Sequence, residues 1–425
     1  MFPGKATLKP PASCPRTVSR RRQPVGVQEG RAGINQSDRR MILFKNCELY
    51  APEPLGRRDV LVGGTRILAI GRDLKVPKVE GLLVIDTGGL RMIPGLIDSH
   101  VHIAGAGGEG GPASRTPEIQ LSALLRAGVT SVVGCLGTDG MARSLESVLM
   151  KAKGLKKEGL SAYMYTGAYQ VPTPTILGDV GRDIALIEEV IGTGEIALSD
   201  HRSSCPDLHE LMRLTAHSRV GGMLGGKAGI VNIHMGDARD PFRPLYEVEA
   251  NSELSLKQFL PTHCNRNDHI FEEAKAYGKK GYVDLTTSSY PFFPEYEVKP
   301  SRAIAELTAA GVPLQHITLS SDACGSLPHF DDQGRLVRLE TGSPLSLFTE
   351  LRDAVTQEGI ALEDALQTVT SNVATILGLS AKGRLAAGMD ADLVVLSEGF
   401  EIVHVAAMGA LMVQEGKLLR KGSYE

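Results

Sequence analysis

What this 425-residue chain lacks narrows it first. No apolar run approaches the roughly 18 residues a helix needs to cross a bilayer, so no membrane partner is expected. No CxxC pair occurs, and the six cysteines (Cys14, Cys47, Cys135, Cys205, Cys264, Cys324) are widely scattered, which reads as free thiols in a reducing, cytoplasmic compartment. Residues 1–40 have no apolar stretch of the secretory kind. That segment carries nine Lys/Arg against Glu29 and Asp38, a charge of +7, so the chain's net −3 leaves −10 on residues 41–425. A mildly acidic body argues against nucleic acid as the partner.

Residues 1–40 are rich in Pro, Ser, Gly and Arg and show no apolar periodicity, so they are expected to be a disordered basic extension. Their Arg-rich, acid-poor texture also fits a transit peptide, but Met41 opens MILFKNCELYAPE, which reads as a first strand preceded by an upstream extension. Hydrophobic residues make up 42% and charged residues 22%, ordinary for a globular chain. The length is too great for one compact core unless that core is a barrel.

After Met41 come short β-like runs, MILFKNCELY, RDVLVGGTRILAIG and GLLVIDTGGLRMIPG, as in a small antiparallel sheet. From Leu96 the texture changes. Apolar runs such as TSVVGCL, SAYMYTGAY, EIALSD and IVNIHMG alternate with amphipathic stretches such as MARSLESVLMKAKGLKKEG, RDIALIEEVIG and PDLHELMRLTAHSRVGG; FLPTHC, YVDLTTS and ITLSSD continue the series. This βα rhythm suits a (β/α)8 barrel of the TIM type. After SNVATILGL the texture returns to strands. The expected organisation is a first part of a small β-sandwich domain at 41–94, a metal-dependent barrel at 95–380, and the rest of the sandwich at 381–425, built from both chain ends.

The run LIDSHVHI (96–103) places His100 and His102 two residues apart, on one side of a strand, where both rings can reach one point. Active sites of such barrels lie at the C-terminal strand ends. The polar residues that end each run are therefore candidates: His100 and His102; Thr138 and Asp139; Tyr169; Glu195 with Asp200, His201 and Arg202; His234; His263; and Asp322. Each alone could be structural, but four histidines and a carboxylate all at strand ends form a pattern. His209, His217, His269, His316, His329 and His404 break it and read as structural or surface residues. Four imidazoles and two carboxylates match two divalent ions, most simply Zn²⁺, about 3.5–4 Å apart and able to hold a bridging hydroxide at neutral pH. Asp322 could take that hydroxide's proton and pass it to a leaving amine, and Tyr169 could donate to a developing oxyanion.

These features resemble the amidohydrolase superfamily, as does the C-terminal GRLAAGMDADLVVL. Within it the isoaspartyl (β-aspartyl) dipeptidase family is similar over essentially all of residues 41–425, through GGEGGPASRTPE, GVTSVVGCLGTDG, TGAY, SDHRS, IHMGD, LPTHCNRN and LSSDACGS. The resemblance implies that His100, His102 and Asp322 bind one metal and His234 and His263 the other. It implies that Tyr169 polarises the scissile carbonyl and Asp322 shuttles the proton. Glu109 would meet the substrate's ammonium, Arg202 and Arg266 its carboxylates, with Gly107, Thr138 and Ser326 completing the pocket. It also implies a homo-oligomer. A β-aspartyl dipeptide has one ammonium and two carboxylates, which suits one glutamate and two arginines. Open alternatives are a cyclic-amide hydrolase of the hydantoinase or dihydroorotase kind, a deaminase, and a silent scaffold of the same fold.

One departure stands out. The family typically bridges its metals with a carboxylated lysine in strand four, but here no lysine occurs between Lys157 and Lys227. Counting back from Arg202 puts Glu195 in that place. Its carboxylate has the right charge and two oxygens but falls short by roughly 3–4 Å. The stretch is one residue longer than the family pattern, so a bulge at Thr193–Gly194 is expected to push the strand inward.

Overall fold

The computed structural model describes residues 41–77, 80–331, 333 and 335–425. The expectations for residues 1–40 lie outside the described residues.

Eight parallel strands carry the site: β1 (Leu96–Val101), β2 (Val129–Gly134), β3 (Ser161–Thr166), β4 (Val190–Leu198), β5 (Ile230–Met235), β6 (Phe259–Thr262), β7 (Val283–Thr286) and β8 (Ile317–Ser320). β1 to β6 form a continuous parallel sheet in chain order, and β7 pairs with β8. The ring closes where Val101 bridges Ala323 and the His102 amide donates to the Ala323 carbonyl at 2.9 Å. Apart from the half-buried Tyr163, every residue in these strands is buried, because helices cover the outside and side chains fill the inside. This is a (β/α)8 barrel.

Helices between strands start and stop on local chemistry. Leu208–Gly225, which follows the site-bearing end of β4, opens with a capping box of Asp207 and Glu210 and ends at Gly226 in the left-handed region. Leu145–Glu158 is capped by Ser144 and ends at Gly159 in the same way. One boundary differs from the sequence reading. RDIALIEEVIG is not one amphipathic stretch: the helix stops at Leu186 and β4 begins at Val190. Val190, Ile191 and Gly192 are buried and pair with β3 and β5, so sheet pairing overrides the helical periodicity.

A separate sheet from both chain ends makes the small sandwich domain. Ile42–Tyr50 pairs antiparallel with Pro54–Gly63 but parallel with Leu83–Asp86 and Arg91–Pro94, so the sheet is mixed rather than antiparallel throughout. Arg91–Pro94 then pairs antiparallel with Leu393–Leu396, stitching the N-terminal strands to the C-terminal ones. Its core includes Phe44, Val60, Met92, Leu393 and Val395, all fully buried.

Candidate active site

At the C-terminal ends of the barrel strands four imidazoles surround one carboxylate. His100 Nε2 lies 3.4 Å from Glu195 Oε2 and 3.6 Å from Asp322 Oδ1, and His102 Nε2 lies 3.0 Å from Asp322 Oδ1. On the other side Glu195 Oε1 is 2.7 Å from His234 Nδ1 and 3.1 Å from His263 Nε2. Glu195 thus stands between a β1 pair of histidines and a β5/β6 pair, one oxygen toward each. Gly137 makes room for this: a Cβ there would stand 2.9 Å from the His102 ring.

Glu195 reaches the centre because β4 is bulged. Thr193 pairs with Val231 and Ile196 with Ile233, so Gly194 and Glu195 together face the single residue Asn232. The extra residue falls at Gly194–Glu195, one position after the place read from the sequence. Gly194 lies hard against Asn232, where an added Cβ would be 2.8 Å from that residue's Cβ.

The donor set fits a pair of cations. His100 Nε2, Glu195 Oε2 and Asp322 Oδ1 are buried, point into one space and have no hydrogen-bond partner among the described residues. Leaving such groups unpaired is costly, and a divalent ion would satisfy all three. Two groups have the spacing of metal ligands: His100, His102, Cys135 and Glu195, and Glu195, His234 and His263. Burial pushes Glu195 up, but the imidazole charges of His100 and His234 and the hydrogen bond with His234 outweigh it and hold the carboxyl well below its ordinary range. Asp322 is likewise held below its ordinary value: the close approach of His102 and the nearby imidazole charges overcome burial. Burial and the charge of His234 push His263 down to about 3, leaving it a neutral, ligating ring. Tyr169, buried and facing the Glu195 charge, is held well above its ordinary value and stays a phenol; its hydroxyl is 2.7 Å from His234 Nδ1.

These groups open into a cavity of about 350 Å³ that Glu109, Thr138, Arg202, Arg266 and Ser326 also line. Arg202 NH1 is 3.7 Å from Glu109 Oε1 and 3.4 Å from Thr138 Oγ1. Gly107 sits apart from the main cavity, in an adjoining groove with Glu109 and Thr138, where its backbone bridges Arg115. His201 stands at the rim of the same cavity, with its side chain 87% exposed.

Two residues near the centre had no assigned role in the sequence reading. Asp200 grips Arg202 through Nε and NH2, each at 2.9 Å, and also lies 3.1 Å from His234 Nε2 and 3.5 Å from Arg266 NH1. It holds both guanidiniums at the cavity wall; its place at the end of the fourth run was the only signal. Cys135 lies buried with its Sγ 3.6 Å from His102 Nδ1. Only its position one residue beyond β2 hinted at that.

A (β/α)8 barrel whose strand ends bring together these two ligand groups is the active site of a metal-dependent amidohydrolase. Residues 254–412 match the model of the amidohydrolase family. The β-aspartyl dipeptidase of Fervidobacterium islandicum AW-1, solved with β-Asp-Leu dipeptide, is 42% identical, with 89% of this chain and 98% of that one covered and a TM-score of 0.82. A dihydroorotase from Lactobacillus johnsonii is 26% identical over 399 residues, covering 85% of this chain and 89% of its own. The dihydropyrimidinase of Brevibacillus agri shares the fold at 17% identity, with 90% of this chain and 97% of that one covered and a TM-score of 0.63. The chain belongs to the β-aspartyl dipeptidase family of amidohydrolases.

Proposed function

We propose that this chain hydrolyses the isopeptide bond of β-aspartyl dipeptides. The observation that carries the reading is the charge layout of one cavity: Glu109 near Arg202, and Arg266 beside Arg202 on the same Asp200 carboxylate, all next to Glu195. That is one anionic and two cationic groups for a substrate with one ammonium and two carboxylates. Dihydroorotate, the substrate class suggested by the dihydroorotase relatives, has no ammonium for Glu109.

In this reading His100, His102 and Asp322 would hold one divalent ion and His234 and His263 the other, with Glu195 available to both, the ions most simply Zn²⁺. Bound there, the two ions would polarise the scissile carbonyl and lower the pKa of water. Tyr169, kept protonated, donates to the oxygen on which charge develops. Asp322, kept ionised, accepts a proton and delivers it to the departing amine. Arg202 and Arg266, braced by Asp200, orient the carboxylates, and Glu109 fixes the ammonium. Thr138 and Ser326 shape the pocket with their hydroxyls, and Gly107 shapes the adjoining groove that carries Glu109. A small-domain boundary near residue 94, a second near 381, a cytoplasmic location and a homo-oligomeric assembly complete the reading; among the described residues no helix is long and apolar enough to cross a membrane.

The test is hydrolysis of β-Asp-Leu, α-Asp-Leu and dihydroorotate by protein of measured metal content. β-Asp-Leu should be the preferred substrate. Equal or faster turnover of either of the others would overturn the proposal.

A further inference from the structure

The segment after β7, SSYPFFPEYE, brings one more carboxylate to the cavity. Glu297 lines it together with Phe293 and Tyr296, as do Leu327 and Pro328 of the hairpin formed by Ser326–Phe330 and Leu336–Thr341, on whose His329 the Phe293 ring stacks at 4.3 Å. The segment is not loose. Glu297 N–H donates to the Phe293 carbonyl at 3.0 Å, and Val298 N–H to the Asn265 carbonyl at 2.9 Å. Asn265 Nδ2 donates in turn to the carbonyls of Thr286 and Val298. The wall is thus tied to the loop that carries His263 and Arg266.

Glu297 has a single side-chain hydrogen bond among the described residues. Ser289 Oγ donates to its Oε2 at 2.8 Å. Among the described residues it makes no ion pair and its other oxygen accepts no hydrogen bond. Arg266 does not require it as a counter-charge, since Asp200 already lies 3.5 Å from that guanidinium. The dipeptide's own charged groups do not require it either, since Glu109, Arg202 and Arg266 account for one ammonium and two carboxylates. A carboxylate facing a substrate cavity with no ion-pair partner among the described residues is a site for something the substrate brings.

Its position says which part of the substrate. The Glu109 loop lies over the end of β2, where Arg115 NH2 is 3.3 Å from Asp139 Oδ2. Glu297 is anchored to the ends of β6 and β7. In an eight-stranded ring these are opposite sides of the mouth, with the Glu195 cradle between them. A dipeptide whose ammonium meets Glu109 and whose scissile bond lies at the cradle points its leaving residue toward β6 and β7.

We propose that residues 289–297 form the subsite for the leaving residue's side chain, and that Glu297 makes this subsite select side chains ending in a cation, such as lysine. This rests on the β-aspartyl dipeptidase reading. The aromatic rings cover the aliphatic stem while the carboxylate meets the charged end. Burial pushes Glu297 up to about 7 despite the Ser289 hydrogen bond and the Arg266 charge, so its ionised form is short of compensation that a cationic side chain supplies.

The test is kcat/KM for β-Asp-Lys, β-Asp-Leu and β-Asp-Glu with metal-loaded full-length protein at about pH 8, where Glu297 is ionised. Wild type should favour β-Asp-Lys over β-Asp-Glu by about tenfold or more. Glu297→Gln, which keeps the shape and an acceptor for Ser289, should lower that ratio about tenfold, mainly through KM. Glu297→Lys should invert it. Hydrolysis of β-Asp-Leu with a ratio unmoved in both variants overturns the subsite alone. Hydrolysis of none of the three overturns the functional reading and the subsite with it.

Discussion

The two ligand groups that share Glu195 are built differently. In the β5/β6 group every ring is tied to protein. His263 Nδ1 lies 2.7 Å from Thr286 Oγ1, and His234 is held by Tyr169, Asp200, Arg202 and Arg266. In the β1 group His100 has no hydrogen-bond partner on either nitrogen among the described residues, and His102 touches only the Cys135 thiol and Asp322. Packing fixes His100 and two polar contacts fix His102, whereas hydrogen bonds hold both rings of the β5/β6 pair. Outer partners orient metal-binding rings and raise affinity, so one half of this centre is preset and the other is completed by its ion.

Removing what the halves share tests the comparison most severely. Glu195→Gln should cut bound metal from two ions per chain toward one or none and abolish most turnover, with no rescue by bicarbonate. Elemental analysis beside an activity assay checks this, and two ions retained with full activity would remove Glu195 from the centre. Asp322→Asn should keep the fold but lower kcat by about 10²-fold or more, since it removes the proton carrier; steady-state kinetics with circular dichroism reads both. Thr286→Val sharpens the contrast. It strips the partner from His263 alone, so affinity for one ion should fall about 10- to 100-fold while the other is retained, as followed by competition with a chelator. Equal weakening of both would show that the halves are not independent. Tyr169→Phe should disturb the centre itself least, leaving metal content by elemental analysis unchanged while kcat falls about 10²-fold, because it removes an oxyanion donor and a contact to His234 but no ligand.

The barrel was legible because its strands are buried on both faces and end in polar residues, a pattern that survives in sequence. That rule drew His100, His102, His234, His263 and Asp322 from a long chain, and in space they converge. What it could not give was sideways information. Asp200 matters through Arg202 two residues on and through His234 and Arg266 at two other strand ends, and Cys135 through a histidine at the end of the neighbouring strand. The onset of β4 was hidden because EEVIG continues the helical spacing of RDIALI, and only pairing with β3 and β5 breaks it. Glu195 could be placed from sequence by counting, but whether a short side chain reached the centre depended on the bulge opposite Asn232.

The seam between Arg91–Pro94 and Leu393–Leu396 has a consequence for synthesis. On the ribosome the first of these strands emerges long before its neighbour, separated from it by the whole barrel. At about 5–20 residues per second the wait is roughly 15 to 60 s. Through that time Met92 and Ile93, fully buried in the finished protein, have no C-terminal strand to cover them. The nascent chain therefore carries an open, apolar strand edge that is a target for holding chaperones. A stop codon before residue 393 would leave that edge permanently unpaired, so truncated products should aggregate even where every metal ligand has already been made.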